Sequence, residues 1–206
     1  MYLVKTPVIL SKLTSPSLIW NIPNNEKKIY LTFDDGPIPG LSMEILSILS
    51  DYNAHATFFL VGENVQRYPQ LLQRITDDGH HIGNHSHKHI SGWKTPTNEY
   101  LKDIQNADNV IKSFFFRPPY GRISYSQIKQ LKKKYRIIMW SILSGDFDAN
   151  ISSEQCLFNA LQSKEGDIVV FHDNIKSADK IKKVLPKYLE TFTKEGYQFC
   201  TLPKDL

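Results

Sequence analysis

Seven short apolar runs divide the chain, at residues 28–33, 56–60, 80–83, 114–117, 136–140, 167–172 and 197–201. Most are continuous and rich in Ile, Val, Phe or Tyr, the pattern of parallel strands buried on both faces. Run 80–83 is the least apolar. Between the runs lie stripes at helical spacing: Leu41, Ile45, Ile48 and Leu49; Leu101, Ile104, Ala107 and Ile111; Ile128, Leu131 and Tyr135. The clearest stripe is Ile181, Val184, Leu185, Tyr188, Leu189 and Phe192. Pro186 interrupts it, so that helix is expected to begin or bend just before the proline. Gly79 and Gly196 follow helical runs as C-terminal stops. Strands alternating with helices require right-handed crossovers and give a parallel sheet. The expected fold is α/β, a distorted (β/α) barrel of about seven parallel strands, short of the usual eight units. A doubly wound open sheet is the competing architecture, but no Gly-rich phosphate fingerprint follows the first run.

A chain of 206 residues, 41% hydrophobic and 22% charged, is sized for one core, and 1–206 reads as a single domain. The net charge of +4 gives a mild preference for anionic surfaces. No basic block is dense enough for nucleic acid; the closest, 129–134, has the spacing of a solvated helix face. Cys156 and Cys200 form neither a disulfide framework nor a metal-like pair and are expected to be buried thiols. No apolar run reaches the roughly 18 residues of a membrane span. Lys12 interrupts the apolar Val8, Ile9 and Leu10 short of a signal-peptide core. The chain as it stands therefore reads as cytoplasmic, with an extracytoplasmic location open to a trimmed chain. Nothing in the sequence sets an oligomeric state.

The unusual polar residues fall at the ends of the apolar runs. Asp34 and Asp35 end the first, within Thr-Phe-Asp-Asp-Gly-Pro, and His85-Ser86-His87-Lys88-His89 follows the third. Arg117-Pro118-Pro119-Tyr120 ends the fourth, Asp146 and Asp148 follow the fifth, and His172-Asp173 ends the sixth. In a β/α barrel all of these lie on the C-terminal face, where active sites are built. His85 and His89 are four apart, so on a helical turn both imidazoles share a face, as in a zinc-binding pair. On an extended segment His87 would instead pair with one of them. Asp35 is the expected third ligand. Ser86 stands where a zincin carries its general-base Glu, so the base must come from elsewhere, and Asp34 is available. Arg117, between Phe114-Phe115-Phe116 and two prolines, requires a carboxylate partner, either Asp34 or Asp146. The Tyr120-Gly121 backbone could supply N–H groups to an oxyanion. His172, ending Ile168-Val169-Val170-Phe171, is the expected general acid. Trp93, Trp140 and Phe147 offer flat apolar faces suited to sugars, with core packing an equal role for Trp140.

Taken together and in order, the Thr-Phe-Asp-Asp-Gly segment, the pair His85 and His89, Arg117 to Tyr120, Asp146, and Val170-Phe171-His172 resemble the five motifs of the polysaccharide deacetylase family. This family is the NodB-homology domain, or carbohydrate esterase family four, and the resemblance covers about residues 27–202. It implies a distorted β/α barrel that removes acetyl groups from N-acetylated glycans with a divalent metal, usually Zn2+, with Co2+, Ni2+ or Mn2+ as substitutes. It further implies Asp34 as base, Asp35, His85 and His89 as metal ligands, and Arg117 orienting the base. His172 would be the acid, with Asp146 supporting the charges around Arg117 and His172. Tyr120, with Pro119 and Phe147, would form the oxyanion and substrate contacts. In the fourth motif, usually Asp-x-x-Asp-Trp, Leu143 replaces the first Asp and Phe147 the Trp, and Val170 replaces the Leu that usually begins the fifth.

The implied chemistry is consistent: a metal brings the pKa of its water to about 7, Asp34 takes the proton, and His172 protonates the departing amine. An ester leaving group needs that acid less, so His172 favours N-acetyl substrates. The alternatives are hydrolysis of small ureides or imides, an O-acetyl esterase acting on acetylated xylan, and a binding module without catalysis. The intact set of base, ligands and acid argues against the last.

Overall fold

The computed structural model describes residues 2–7, 9, 13–24 and 26–206; Val8, Leu10 and Lys12, on which the signal-peptide reading rests, lie outside them. The strands are β1 (Leu18–Ile19), β2 (Lys28–Asp34), β3 (Thr57–Leu60), β4 (His81–Asn84), β5 (Phe115–Phe116), β6 (Arg136–Ile138), β7 (Ile142–Leu143), β8 (Ile168–His172) and β9 (Gln198–Cys200). The helices are α1 (Leu41–Asp51), α2 (Gly62–Arg67), α3 (Pro69–Asp77), α4 (Thr97–Asp108), α5 (Tyr125–Leu131), α6 (Ser153–Ala160) and α7 (Ala178–Lys194). The sheet runs β1-β6-β5-β4-β3-β2-β8-β7, with β9 beside the first half of β2, and the strand pairs are parallel.

This is the expected distorted (β/α) barrel, with two short strands, β1 and β7, beyond the seven apolar runs. Residues 136–143 draw the sheet toward closure: the first part pairs with β5 and the last with β8. The N-terminal arm adds an antiparallel bridge from Lys5 to Ile142. Among the described residues no helix is long and apolar enough to cross a membrane.

Strand periodicity sorts the side chains into two environments. From β2, β3 and β8, Ile29, Leu31, Phe33, Phe58, Val169 and Phe171 face outward into a core shared with α1 and α7. Phe171 meets Tyr188 of α7 at 5.6 Å between ring centroids. Burying such a side chain contributes about 1.5–3 kcal/mol, so this shell dominates the stability of the sheet. A second inner cluster holds Tyr30, Phe59, Phe115, Ile138, Ile168 and Leu202. The same period of two carries Thr32 and Asp34 onto the face of Tyr30, and Arg117 onto that of Phe115. The barrel therefore has an apolar floor and a charged upper layer at the C-terminal strand ends.

The helix around Pro186 begins eight residues before the proline, at Ala178, and runs unbroken to Lys194, so the expectation of a start there is corrected. The stripe Ile181, Val184, Leu185, Tyr188, Leu189 and Phe192 is buried, and that burial outweighs the missing N–H at Pro186. Proline in a helix interior costs about 3 kcal/mol relative to alanine, against roughly 1 kcal/mol regained by restricting the unfolded chain. Pro186→Ala is accordingly expected to raise stability by about 1–2 kcal/mol. A urea midpoint lower than that of the parent would show instead that the half-buried ring fills a needed space.

Candidate active site

The site is assembled at matched levels of neighbouring strands. Asp34 pairs in register with Phe59 of β3 and His172 of β8, and Asn84, just before His85, pairs with Phe116, just before Arg117. The chain turns sharply after Asp34, because Asp35 takes a left-handed conformation at φ 78. That turn sends two adjacent carboxylates in different directions. Gly36 allows it, since a Cβ there would collide with the Asp173 carboxylate. Ser42 donates to Asp173 Oδ2 at 2.5 Å and accepts the Ile38 N–H at 2.7 Å, fixing the loop that follows.

Asp34 is buried beneath a fully buried Arg117. Arg117 Nη1 donates to Asp34 Oδ1 at 2.7 Å and Thr32 Oγ1 at 2.8 Å, and Nη2 donates to the Met139 carbonyl at 2.9 Å. The guanidinium stacks 4.1 Å above the Phe59 ring. Burial pushes the Arg117 pKa down, and Asp34 pushes it back up. Of the two partners open to Arg117, the structure selects Asp34. Asp34 Oδ2 is left facing His85, 4.0 Å from its Nε2.

Asp35 faces the two histidines. Its Oδ1 lies 3.5 Å from His85 Nε2 and 3.1 Å from His89 Nε2, and the three candidate donor atoms fall within 4.8 Å of one another. Asn174 donates to Asp35 Oδ2 at 2.6 Å, and Asn64 to the Asp35 carbonyl at 2.8 Å. His85 Nδ1 is 2.8 Å from the Arg117 carbonyl, a contact that requires Nδ1–H and turns the Nε2 lone pair toward Asp35. Asp35 Oδ1 itself is buried with no hydrogen-bond partner. An orphaned carboxylate oxygen facing two imidazole nitrogens fits a divalent cation of the zinc type. Burial alone would raise the Asp35 carboxyl; the adjoining imidazoles of His85 and His89 and the charge of His172 outweigh it and hold the group well below the usual range.

The histidine pair is not on a helical turn. Residues 85–89 form a loop with left-handed residues at Ser86 (φ 64) and His89 (φ 53), and this loop brings the two rings within 5.0 Å. His87 points elsewhere: its Nδ1 is buried beside Gly62, and its backbone N–H is held by Asp103 at 2.8 Å. On the opposite side, Asp146 is fully buried, with Oδ1 2.7 Å from His172 Nδ1 and Oδ2 accepting the His172 N–H at 2.7 Å. Its side-chain hydrogen bonds go to His172, and among the described residues none goes to Arg117. Phe147 packs edge-on against His172 at 4.8 Å, whereas Trp140 packs with the inner cluster and Asp148 lies on an outer turn with Asn150. Tyr120 is left-handed at φ 61 after the buried Pro119, and its hydroxyl lies 3.1 Å from His89 Nδ1. The amides of Gly121 and Arg122 bond back to Pro118 and Pro119; among the described residues the Tyr120 N–H has no such partner. Cys156 is buried and Cys200 only half-buried.

With this geometry in view, residues 21–137 match the family model described as Polysaccharide deacetylase. The chain belongs to the polysaccharide deacetylase family. It is 34% identical over 205 residues to a peptidoglycan-N-acetylglucosamine deacetylase of Bacillus cereus, a match covering 95% of this chain and 96% of that one. It is 34% identical over 188 residues to the peptidoglycan-N-acetylmuramic acid deacetylase PdaC of Bacillus subtilis, covering 86% of this chain and 38% of PdaC. The crystal structure of a peptidoglycan N-acetylglucosamine deacetylase superposes with a TM-score of 0.87 at 30% identity, covering 96% of this chain and 95% of that one. A CE4 family pseudoenzyme from Bacillus anthracis shares the fold at a TM-score of 0.81 and 22% identity, covering 93% of this chain and 69% of that one. The fold alone does not carry activity, so function in this family rests on the site.

Asn174, Asn64, Asp173 and Thr32 are the polar supports that sequence reasoning passed over or left without a role. Asn174 could have been suspected from its position two residues beyond His172, on the same barrel face. Burial lifts the Asp173 carboxyl to about 7, with Asp35 adding to the rise and the Ser42 hydrogen bond opposing it.

Burial would lower the His172 pKa, but the charge and hydrogen bond of Asp146, followed by Asp35 and Asp34, push it up to about 9. A raised folded-state value stabilises the fold fully below the unfolded histidine pKa of about 6.5, and the gain is lost as pH rises through about 9. Asp146→Asn is expected to move the His172 titration downward and to destabilise the chain more at acid pH than at alkaline pH. NMR titration of the imidazole in chelator-treated protein reads this directly. A His172 titration that ignores the substitution would contradict the pairing.

Proposed function

We propose that this chain is a divalent-metal-dependent deacetylase that hydrolyses N-acetyl groups on a glycan, acting as a single catalytic domain. The observation that carries this reading is the buried, unpartnered Asp35 Oδ1 facing the Nε2 atoms of His85 and His89, between the Arg117–Asp34 pair and the Asp146–His172 pair. Peptidoglycan is the favoured glycan, because the relatives named above act on N-acetylglucosamine or N-acetylmuramic acid of that polymer.

A cation held by Asp35, His85 and His89, most simply Zn2+, would supply Lewis acidity toward water and the acetyl carbonyl. The proteins' own groups divide the proton work. Arg117 occupies Asp34 Oδ1, so Asp34 Oδ2 is the atom that accepts a proton from the attacking water. Asn174 holds Asp35 Oδ2 and so keeps the ligand carboxylate from rotating. The free Tyr120 N–H, beyond the rigid Pro118-Pro119 pair, is suited to donate to the oxyanion. His172, kept protonated by Asp146, donates from Nε2 to the departing amine, and Phe147 shields that ring from water. A sugar amine is too basic to leave as an anion, so a protonated His172 suits an amide substrate better than an ester.

Acetate release should be measured on peptidoglycan, chitooligosaccharides, acetylated xylan and small ureides with added Zn2+ or Co2+. Activity is expected on the N-acetylated glycans, lost on chelation and restored by metal. Asp34→Asn keeps an oxygen for Arg117 but removes the base, and is expected to lower kcat by about 10²–10⁴. Turnover of ureides alone would overturn the substrate class, and unchanged turnover by Asp34→Asn would overturn the assigned base.

A further inference from the structure

The end strand of the sheet, β7, is held along both edges. On one side Ile142 and Leu143 pair in register with Val169 and Val170 of β8. On the other, Leu143 N donates to the Val4 carbonyl at 2.8 Å, Thr6 N to the Ser141 carbonyl at 2.8 Å, and Thr6 Oγ1 to the Trp140 carbonyl at 2.9 Å. The arm thus acts as an added antiparallel strand, with Lys5 opposite Ile142. A two-residue strand owes its place to such partners, and β7 leads directly into the turn that carries Asp146 and Phe147.

Beyond Val4 the arm lays Tyr2 over that turn. The Tyr2 ring packs 5.1 Å from the Phe147 ring, and Phe147 in turn packs edge-on at 4.8 Å against His172. Gly145, left-handed at φ 78, makes room for this approach: a Cβ there would fall 2.6 Å from the Tyr2 hydroxyl. Burial and the neighbouring Asp148 push the Tyr2 pKa up to about 12, so the hydroxyl stays neutral. Asp146 holds His172 through Nδ1, and a single ring hydrogen bond leaves the imidazole free to tilt about it. The Phe147 edge limits that tilt, and Tyr2 backs Phe147.

We propose that Tyr2 is a positioning residue for His172: its ring presses Phe147 against the imidazole and so sets the direction in which Nε2 points. The proposal rests on the deacetylase reading, in which His172 gives a proton to the departing amine. It adds to that site an arm far from it in sequence.

The test compares Tyr2→Ala and Tyr2→Phe with the parent in the whole chain. The His172 ring protons are read by NMR in chelator-treated protein, where the ring current of Phe147 makes their shifts report the contact. Acetate release from an N-acetylglucosamine tetramer by the zinc-loaded protein gives kcat and KM. Tyr2→Ala is expected to move the His172 resonances and to lower kcat about tenfold, with KM changed by no more than about twofold. Tyr2→Phe, which keeps the ring, should retain the parent values. In a Phe147→Ala background Tyr2→Ala should cost nothing further, because its effect passes through Phe147. Slow exchange of the Leu143 amide reads whether the arm remains paired; where it is lost, Tyr2→Leu, which keeps apolar bulk without the ring, is measured in the same way. Unmoved His172 resonances, an equal loss in Tyr2→Phe, or losses that add in the double variant overturn the proposal. Resonances that move as expected in a chain whose parent releases no acetate uphold the positioning and overturn the deacetylase reading.

Discussion

The buried ion pair between Arg117 and Asp34 is the constraint to which the upper layer of the barrel conforms. A guanidinium cannot be taken out of water unless its donors are met. Here a carboxylate, a threonine hydroxyl and backbone carbonyls at the end of β6 meet them, and Phe59 covers the face. The strands carrying those groups must therefore end at one height, with β5 delivering Arg117 between them. Apolar side chains of similar volume would stabilise such a position at least as well. What the pair adds is orientation: it fixes one oxygen of Asp34 and leaves the other free. Through its carbonyl the same residue sets the tautomer of His85, so one arginine aligns both sides of the centre.

Around that arginine the acidic groups are separated by direction rather than distance. Asp34 and Asp35 are neighbours in sequence, yet one answers to Arg117 and the other to two imidazoles and Asn174. Asp146 is devoted to His172 with both its oxygens, and its charge raises the pKa of that half-buried imidazole. Three carboxylates thus share a small volume without facing one another.

The fold was legible in the apolar runs because strands buried on both faces leave little ambiguity. β1 and β7 escaped notice because two-residue strands owe their existence to tertiary partners and carry no local pattern. The unbroken passage of α7 through Pro186 has the same origin, since a long buried stripe overrides a local penalty. Within the site, the residue types and their barrel face could be read from position alone. The loop conformation of residues 85–89 could not, because spacing cannot distinguish a helical turn from a loop with two left-handed residues. Nor could Asp146 be assigned to His172 before the register of β2, β7 and β8 was known. Asn174 and Asn64 act through single hydrogen bonds, which composition and periodicity do not reveal.

Among the described residues five non-glycine residues adopt positive φ, and four of them are Asp35, Ser86, His89 and Tyr120 at the centre. The fifth, Asn53, lies in a remote turn and is a residue type that accepts the conformation readily. Left-handed backbone is unfavourable for most side chains by roughly 1 kcal/mol or more and persists where the surroundings over-determine it. The loops around the candidate metal centre are therefore loaded springs clamped by the sheet, in which local relaxation and correct aim are opposed. Selection of this chain for thermal tolerance alone would drift toward glycine or asparagine at these four positions, yielding a sturdier barrel whose polar side chains no longer converge at the centre.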